Sequence, residues 1–416
     1  MDLSTSYQGD NLISRELKWY YASFNLFVFS QGLIGAFLNL FFFANDSYVS
    51  VLYFQLFVII GVTLAFIGSG YLLRSIKPKD LYAAGEIARV VILISLVAAA
   101  GFISNLFFFG ILYGISGGLF WSGNNIITYD VTEKMDRNAF ISFNNIASGV
   151  ATFAAPFMAG VLIQFSLLRG PLRFLWDFAA AGAILGLSAV TIRRIGRADG
   201  EVLPSFSFRD TIIKGRSMYQ KFKAYFFLSQ IFAIPFLIIL PIYVFQITGS
   251  YLIAGIFTSY MVLASVASNF IFRNGARRWD LFMRIAVLAI MLSSITLLMP
   301  KIIQPPWNAF LFTGLYTFFS TPLNNKAALN FYKLIDSNRD INRVFFWINR
   351  EYYINIARAL VVLLMFALLF VFRVSSLGLL LMLPFLTPYA LIFLKVSHDG
   401  IPMKGISLIR GIVQKY

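Results

Sequence analysis

Runs of about twenty apolar residues recur along the whole chain, and each is long enough to cross a bilayer's hydrocarbon core as an α-helix. VVILISLVAAAGFISNLFFFGIL, starting at Val90, shows the type. It lacks the strict apolar–polar alternation that a spanning β-barrel requires. Only 12% of the 416 residues are charged and 59% are hydrophobic, whereas soluble chains carry about 25% charged residues. We read twelve spans, at 19–43, 48–73, 81–103, 106–129, 139–167, 172–193, 223–247, 250–272, 280–299, 307–331, 347–372 and 377–395. The fold class is therefore an all-α polytopic membrane protein with 12 transmembrane helices. The first span is too long for a signal-peptide core and is read as helix one.

The absence of cysteine excludes disulfides and thiolate metal sites. The single histidine, His398, lies in the C-terminal tail and is read as a surface residue. No metal ligand set, P-loop or cofactor motif is present, so no cofactor is expected.

A net charge of +16 would suit a nucleic-acid binder if the basic residues clustered freely. They instead fall on one side of the twelve spans. That side holds Arg15, Lys18, Arg74, Lys77, Lys79, Lys134, Arg137, the linker bases from Arg193 to Lys221, Arg273, Arg277, Arg278, Lys333, Arg339, Arg343 and the tail's Lys404, Arg410 and Lys415. Arg169, Arg173, Lys301 and Arg373 are left for the other side. The positive-inside rule places both termini and the linker in the cytosol, in a multi-pass plasma-membrane protein. The expected partner of the linker is anionic membrane lipid, not nucleic acid.

Internal repetition divides the chain. Ser30-Gln31 recurs as Ser229-Gln230, 199 residues on, and the basic loop Arg74–Lys79 recurs as Arg273–Arg278 at the same offset. Asn124-Asn125 recurs as Asn324-Asn325, offset by 200. The repeat unit is six helices, and an even number restores orientation, so the halves are parallel repeats. The expected organisation is a six-helix bundle at 1–192, a basic cytosolic linker at 193–222 and a second bundle at 223–416.

Two parallel six-helix halves joined by a long linker resemble the major facilitator superfamily of secondary transporters. Two motifs bear on the resemblance. The family's loop between helices two and three reads roughly G-x-L-x-D-R-x-G-R-K. The matching stretch here is GYLLRSIKPK, Gly70 to Lys79, which keeps Gly70, Leu72 and Lys79 but has Arg74 at the acidic position and Lys77 at the second glycine. That substitution puts the family's gate at this loop in question. Glu86 and Arg89, one turn apart on helix three, are an alternative cytosolic latch. The helix-five pattern of family antiporters, G-x8-G-x3-G-P-x2-G-G, is matched by Ser142, Ala151, Ala155, Pro156, Ala159 and Gly160, small at every glycine position. This match leans toward efflux by antiport, as in exporter-like members. The resemblance further implies alternating access, a small-molecule substrate, coupling to an ion (a proton), and a monomer.

In that fold a central cavity is implied between helices one, four, seven and ten, with two, five, eight and eleven flanking it. Polar side chains collect on those helices, where amides facing lipid would be costly. Expected substrate contacts are Gln31, Asn39, Asn124, Asn125, Asn144, Gln230, Asn324, Asn325, Asn355 and Arg358. Asn145 and Asn269 lie on the same helices. Expected coupling or gating residues are Arg74, Lys79, Glu86, Arg89, Asp130, Glu351, Pro156 and Pro235. Pro235 and Pro241 interrupt helix seven, because proline removes a backbone donor and bends a helix. Asp177 lies near the outer end of helix six, away from the cavity.

Arg358 poses the sharpest question. Counting back from Phe372 places it about five residues inside the hydrocarbon edge. Glu351, Asn355 and Arg358 share one helical face. Arg358 either snorkels toward the interface and Glu351, or contacts substrate or a coupling ion. Other function classes stay open beside efflux. One is import of a small polar solute such as a sugar or an organic anion. Another is a transport-inactive sensor or scaffold on the same fold. A membrane-embedded enzyme is disfavoured, because no acid/base or metal constellation is present.

Overall fold

The computed structural model describes residues 15–98, 106–132, 137–195, 206–209, 211, 220–272, 279–300, 302–338, 343–375 and 378–391. Most of the linker, His398, Lys134, Lys301, the repeated basic loop at 273–278, Arg339 and the tail bases lie outside the described residues, as do the side chains of Arg15, Arg137 and Ser142.

Among the described residues the structure is helical throughout. The first six helices are α1 (Arg15–Asn45), α2 (Tyr48–Leu72), α3 (Pro78–Ala98), α4 (Leu106–Val131), α5 (Arg137–Gln164) and α6 (Leu175–Ile192). The next five are α7 (Gln220–Thr248), α8 (Tyr251–Phe272), α9 (Trp279–Ser293), α10 (Trp307–Asp336) and α11 (Arg343–Phe370). Local chemistry sets several ends. Ser47 caps α2, its hydroxyl accepting from the Ser50 N–H at 3.3 Å. Pro78 opens α3 in the first turn, where its missing donor costs nothing, and Asp80 complements the N-terminal dipole. The Ser293 and Ser294 hydroxyls bond back to Ile290 and Met291 carbonyls at 2.7 and 2.5 Å, and α9 breaks there into a separate turn, Ile295–Leu298.

The last span, read at 377–395, is described over 378–391 and is not one continuous helix. It is a 3-10 turn (Gly378–Leu381), a short helix α12 (Met382–Leu386) and a second 3-10 turn (Thr387–Ala390). Pro384 and Pro388 account for the break, since neither can donate to the preceding turn. α10 and α11 also extend beyond the expected ranges, to Asp336 and back to Arg343.

Nine stretches among the described residues are long and apolar enough to span a membrane. α3 and α10 are not among them. α3 carries Lys79, Asp80, Glu86 and Arg89, and α10 carries Asn308, Asn324, Asn325 and Lys326. These are the groups an interior position must satisfy. Large apolar side chains such as Ile94, Val150, Phe270 and Leu288 are exposed on the outer faces, the pattern of a bundle solvated by lipid.

α4 lies wedged between α2 and α3. Its Gly110, Gly114 and Gly118, spaced four apart, face α2, and a Cβ on Gly114 would collide with the Val58 carbonyl and with Gly61. Small residues at this spacing let two backbones touch, which replaces the hydrophobic drive that lipid cannot supply. α1 packs on α5 and α6, and α3 on α6. In the C-terminal part, α10 packs on α8 and α9, and α7 on α11. Extensive contacts between the first six helices and the rest run through α5 with α8 and α2 with α11. At the α5–α8 contact, Gly255 leaves room for the Pro156 carbonyl, and Gly160 sits against Tyr251 O at a virtual-Cβ distance of 2.9 Å. Ala155 meets Gly32 of α1. The small-residue pattern of α5 thus serves backbone contact on two sides.

Candidate substrate cavity

Three adjoining cavities run along the seam between the first six helices and the rest. The largest, about 480 Å³, lies among α5, α7, α8 and α10. A second, about 360 Å³, lies toward the basic loops among α4, α7, α10 and α11. It shares Ala233, Tyr316 and Asn324 with the first. A third, about 350 Å³, extends toward the opposite face between α1, α2, α5, α7 and α8, and shares Thr152, Leu237, Met261 and Val262 with the first.

Amides and aromatic rings dominate the polar lining. In the largest cavity Asn145 Nδ2 donates to Asn325 Oδ1 at 3.0 Å, and Asn325 Nδ2 donates to Asn269 Oδ1 at 2.6 Å. This chain of amides ties α5 to α10 and α8. At the junction with the second cavity, Tyr225 OH donates to Asn324 Oδ1 at 2.8 Å. Tyr316 and Tyr389 hydroxyls pair at 2.7 Å, with the Phe232 ring stacked on Tyr389. In the third cavity Gln55 Nε2 donates to Asn39 Oδ1 at 2.7 Å.

Residues lining the cavities also carry buried polar atoms without a protein partner: Thr317 Oγ1 in the largest, Asn125 Nδ2 and Trp347 Nε1 in the second, and Gln31 Nε2 in the third. Buried donors and acceptors are almost always satisfied. These four orphans along a string of cavities are therefore groups that a bound solute or water can satisfy.

Charge is treated differently. Arg350 lines the second cavity, but its Nε and Nη2 donate to Glu351 Oε1 at 3.0 and 2.6 Å. The guanidinium also lies 4.8 Å from the Trp347 ring centroid, a cation–π arrangement. Glu351 is accordingly buried and paired with Arg350, not solvated at a cavity mouth. Arg358 neither reaches Glu351 nor lines any of the three cavities. Its Nε donates to Gln230 Oε1 at 2.8 Å and its Nη1 to Asn355 Oδ1 at 3.4 Å. Arg358 ties α11 to α7 from behind the cavity wall that Gln230 provides.

The other expected contacts divide. Gln31, Asn39, Asn125, Gln230, Asn324 and Asn325 line cavities. Asn124 lies outside them, bonded to Tyr20 OH at 3.2 Å. Asn144 and Asn355 also lie outside, with Asn145 taking the position expected for Asn144. On a helix, adjacent residues point about 100° apart, which turns Asn124 and Asn144 away while their neighbours Asn125 and Asn145 face a cavity; Asn324 and Asn325 both reach the largest one. Arg350, Tyr316 and Tyr389 are lining residues that the sequence reading did not select. Tyrosines are too common among the aromatic residues to stand out, and Arg350 reads as an interfacial charge until its ring neighbours are seen.

Closure at the basic face is built from several layers. Arg343 Nη2 pairs with Asp130 Oδ2 at 2.8 Å between α11 and α4, and Tyr129 OH donates to Asp336 Oδ1 at 2.9 Å between α4 and α10. Tyr129, Phe331, Phe345, Phe346 and Trp347 pack beside them. Phe206 of the linker inserts among Leu73, Leu81, Ile126, Val344 and Ile348. Arg74 donates to the Phe206 carbonyl, and Asn349 Nδ2 donates to Thr211 O at 3.0 Å. Lys79 Nζ donates to Ile195 O at 3.2 Å. The degenerate loop therefore binds the linker instead of an acidic partner. Glu86 and Arg89 do not form the expected latch: Arg89 Nε turns to Ser116 of α4 at 3.2 Å and stacks on Tyr113. Pro156 supports the α5–α8 contact, and Pro235 is buried within a continuous α7.

Breaking the Asp130–Arg343 pair is expected to favour opening at this face. The side chains are 22% and 29% exposed, so the pair contributes about 0.2–1 kcal/mol, a shift of roughly 1.4- to fivefold in the open population. Labelling of a single cysteine placed in the second cavity checks this in Asp130→Asn, on a chain with no native cysteine.

A bundle of apolar helices around a polar seam, closed at one face by separable contacts, has the architecture of a membrane transporter. The chain matches the Major Facilitator Superfamily over residues 20–339, and it belongs to that family. Among solved structures, the nucleoside transporter NupG superposes with a TM-score of 0.65 at 11% identity, covering 92% of this chain and 99% of that one. The transporter FucP in its outward conformation gives 0.64 at 12% identity, covering 92% and 98%. At these identities the likeness establishes the fold. A curated relative, the uncharacterised protein YqgE of Bacillus subtilis (strain 168), is 23% identical over 158 residues, 38% of this chain and 37% of YqgE. The match thus spans little more than a third of that relative's length.

Proposed function

We propose that this protein is a secondary transporter that carries a small, uncharged polar solute through the seam by alternating access, coupled to protons. The observation that carries the reading is the lining itself: amides, hydroxyls and ring faces, with at least one unpartnered polar atom in each cavity and no uncompensated charge. Ring faces suit a planar or pyranose-like body, and amides fix its hydroxyl or carbonyl groups. NupG carries nucleosides and FucP is a fucose:proton symporter, which supports the same solute class here.

An organic anion is less well served. Arg350 is already neutralised by Glu351, and Arg358 is held by amides behind the wall. The efflux lean drawn from α5 is also weakened, since Ala155, Pro156 and Gly160 of that pattern make contacts with α1 and α8 that import and export both need. In our reading residues 1–192 and 223–416 are the two rocking halves and 193–222 the linker. The basic face lies in the cytosol, the protein acts as a monomer in the plasma membrane, and the linker meets anionic lipid.

Entrance counterflow in proteoliposomes tests this. Vesicles preloaded with uridine or fucose are expected to take up the labelled solute transiently and saturably. Saturable binding without flux would replace the carrier with a sensor on the same fold.

A further inference from the structure

Away from the cavities, two buried acids among the described residues have both carboxyl oxygens unpartnered, Asp177 of α6 and Glu86 of α3, and only Glu86 lies beside hydroxyls that join three helices. Glu86 of α3 is 1% exposed, and neither carboxyl oxygen meets a donor. It lies one turn from Tyr82 and beside Ser188 of α6. The hydroxyls around it are already committed to one another. Ser23 Oγ of α1 donates to Tyr82 OH at 3.1 Å and lies 2.9 Å from Ser188 Oγ, which donates to Ser23 O at 2.8 Å. They join α1, α3 and α6 but do not splay around a hole that a metal cation would fill. A proton needs no hole.

The nearest cation is turned away. Arg89 follows three residues later, but its guanidinium goes to Ser116 and to the Tyr113 and Phe27 rings, in space that Gly117 leaves open. Among the described residues, the charged and titratable groups around Glu86 are Tyr82 and Arg89 on α3, Tyr20 on α1 and Tyr113 on α4. α6 contributes Ser188, and its one acid, Asp177, lies about three turns away near the other end. An ionised carboxylate here would be buried with no hydrogen bond to either oxygen and with Arg89 directed elsewhere, an arrangement a buried charge tolerates poorly.

We infer that Glu86 is the proton-binding site of the transport cycle, separate from the substrate cavities. In this closed conformation it is held as the carboxylic acid. It takes the proton from solvent and returns it to solvent as one O–H bond forms and breaks. Release follows when movement of α1 or α4 brings water or the Arg89 guanidinium to the carboxyl. α1 and α4 also carry Gln31 and Asn125, so the proton and the solute act on the same two helices. The inference rests on the carrier reading above.

The test uses wild type, Glu86→Gln and Glu86→Asp in proteoliposomes, with uridine and fucose as probes, alongside infrared difference spectra of the purified proteins. Glu86→Gln is expected to lose accumulation driven by a pH gradient about tenfold or more while counterflow stays within about twofold. Glu86→Asp should retain partial coupling. The spectra should show a carbonyl stretch of buried carboxylic acid in wild type that loses one component in Glu86→Gln, any contribution of Asp177 remaining. Gradient-driven accumulation by Glu86→Gln equal to wild type overturns the assignment, as does an unchanged acid band. Accumulation driven by sodium and not by protons overturns it too. If wild type exchanges neither probe, the solute reading fails, and the infrared band still decides the state of Glu86.

Discussion

Asn324→Ala is expected to weaken solute binding by about ten- to a hundredfold while leaving the fold intact. Asn324 stands where the two larger cavities meet and is exposed to them. Its Oδ1 accepts the Tyr225 hydroxyl, which orients the amide and leaves Nδ2 toward the cavity. Alanine removes the donor offered to the solute. A hydrogen bond lost from a buried solute group costs about 1–3 kcal/mol. The effect should appear in the binding constant and in KM for counterflow, with Tm close to wild type. Asn324→Gln keeps the amide but moves it, and should lie between the two.

Gly255→Leu is expected to be the most damaging single change away from the cavities. Gly255 accommodates the Pro156 carbonyl and lies against Gly160, so the nearest atoms are backbone and cannot rotate away. Inserting a side chain there forces α5 and α8 apart, and overpacking of this kind costs about 1–3 kcal/mol or more. The same interface joins the two groups of helices, so transport should fall along with Tm. Gly186→Ala in α6 is the matched control. Its added Cβ meets nothing within 4 Å, and replacing a mid-helix glycine should stabilise by up to about 1 kcal/mol. Thermal unfolding of both variants in detergent checks the contrast. Equal Tm losses would mean that glycine content, not close approach, sets stability here.

The fold was legible because a membrane constrains sequence so strongly. Twenty-residue apolar runs separate the spans, and the basic loops repeat at a fixed interval. The candidate site was legible only to the level of helix faces. The Asn pairs on α4 and α10 repeat in sequence yet do different work: Asn124 bonds Tyr20, Asn125 and Asn324 face cavities, and Asn325 joins the amide chain to Asn145 and Asn269. Spacing along one helix cannot reveal which neighbour claims a side chain. The same limit explains Glu86 and Arg89, whose one-turn separation suggests a pair. Arg89 instead finds aromatic faces and Ser116 across the α3–α4 contact. It also explains Arg358, whose position along α11 is plain from sequence but whose partner, Gln230, lies 128 residues away. The last span reads from sequence as one apolar run carrying two prolines, but how Pro384 and Pro388 divide it into short turns shows only in the structure.

The most direct measurement is thermal stability of the purified protein against neutral, anionic and cationic solutes, with Arg358→Gln and Asn324→Ala beside wild type. A ligand that binds the folded state raises Tm by mass action. An uncharged, ring-bearing solute should raise Tm in wild type and by a similar increment in Arg358→Gln, even though that variant starts lower for want of its α11–α7 tie. The increment should largely vanish in Asn324→Ala. Stabilisation by anions alone, lost in Arg358→Gln and kept in Asn324→Ala, would contradict the amide-lined seam as the site of recognition and return that role to the charge on α11.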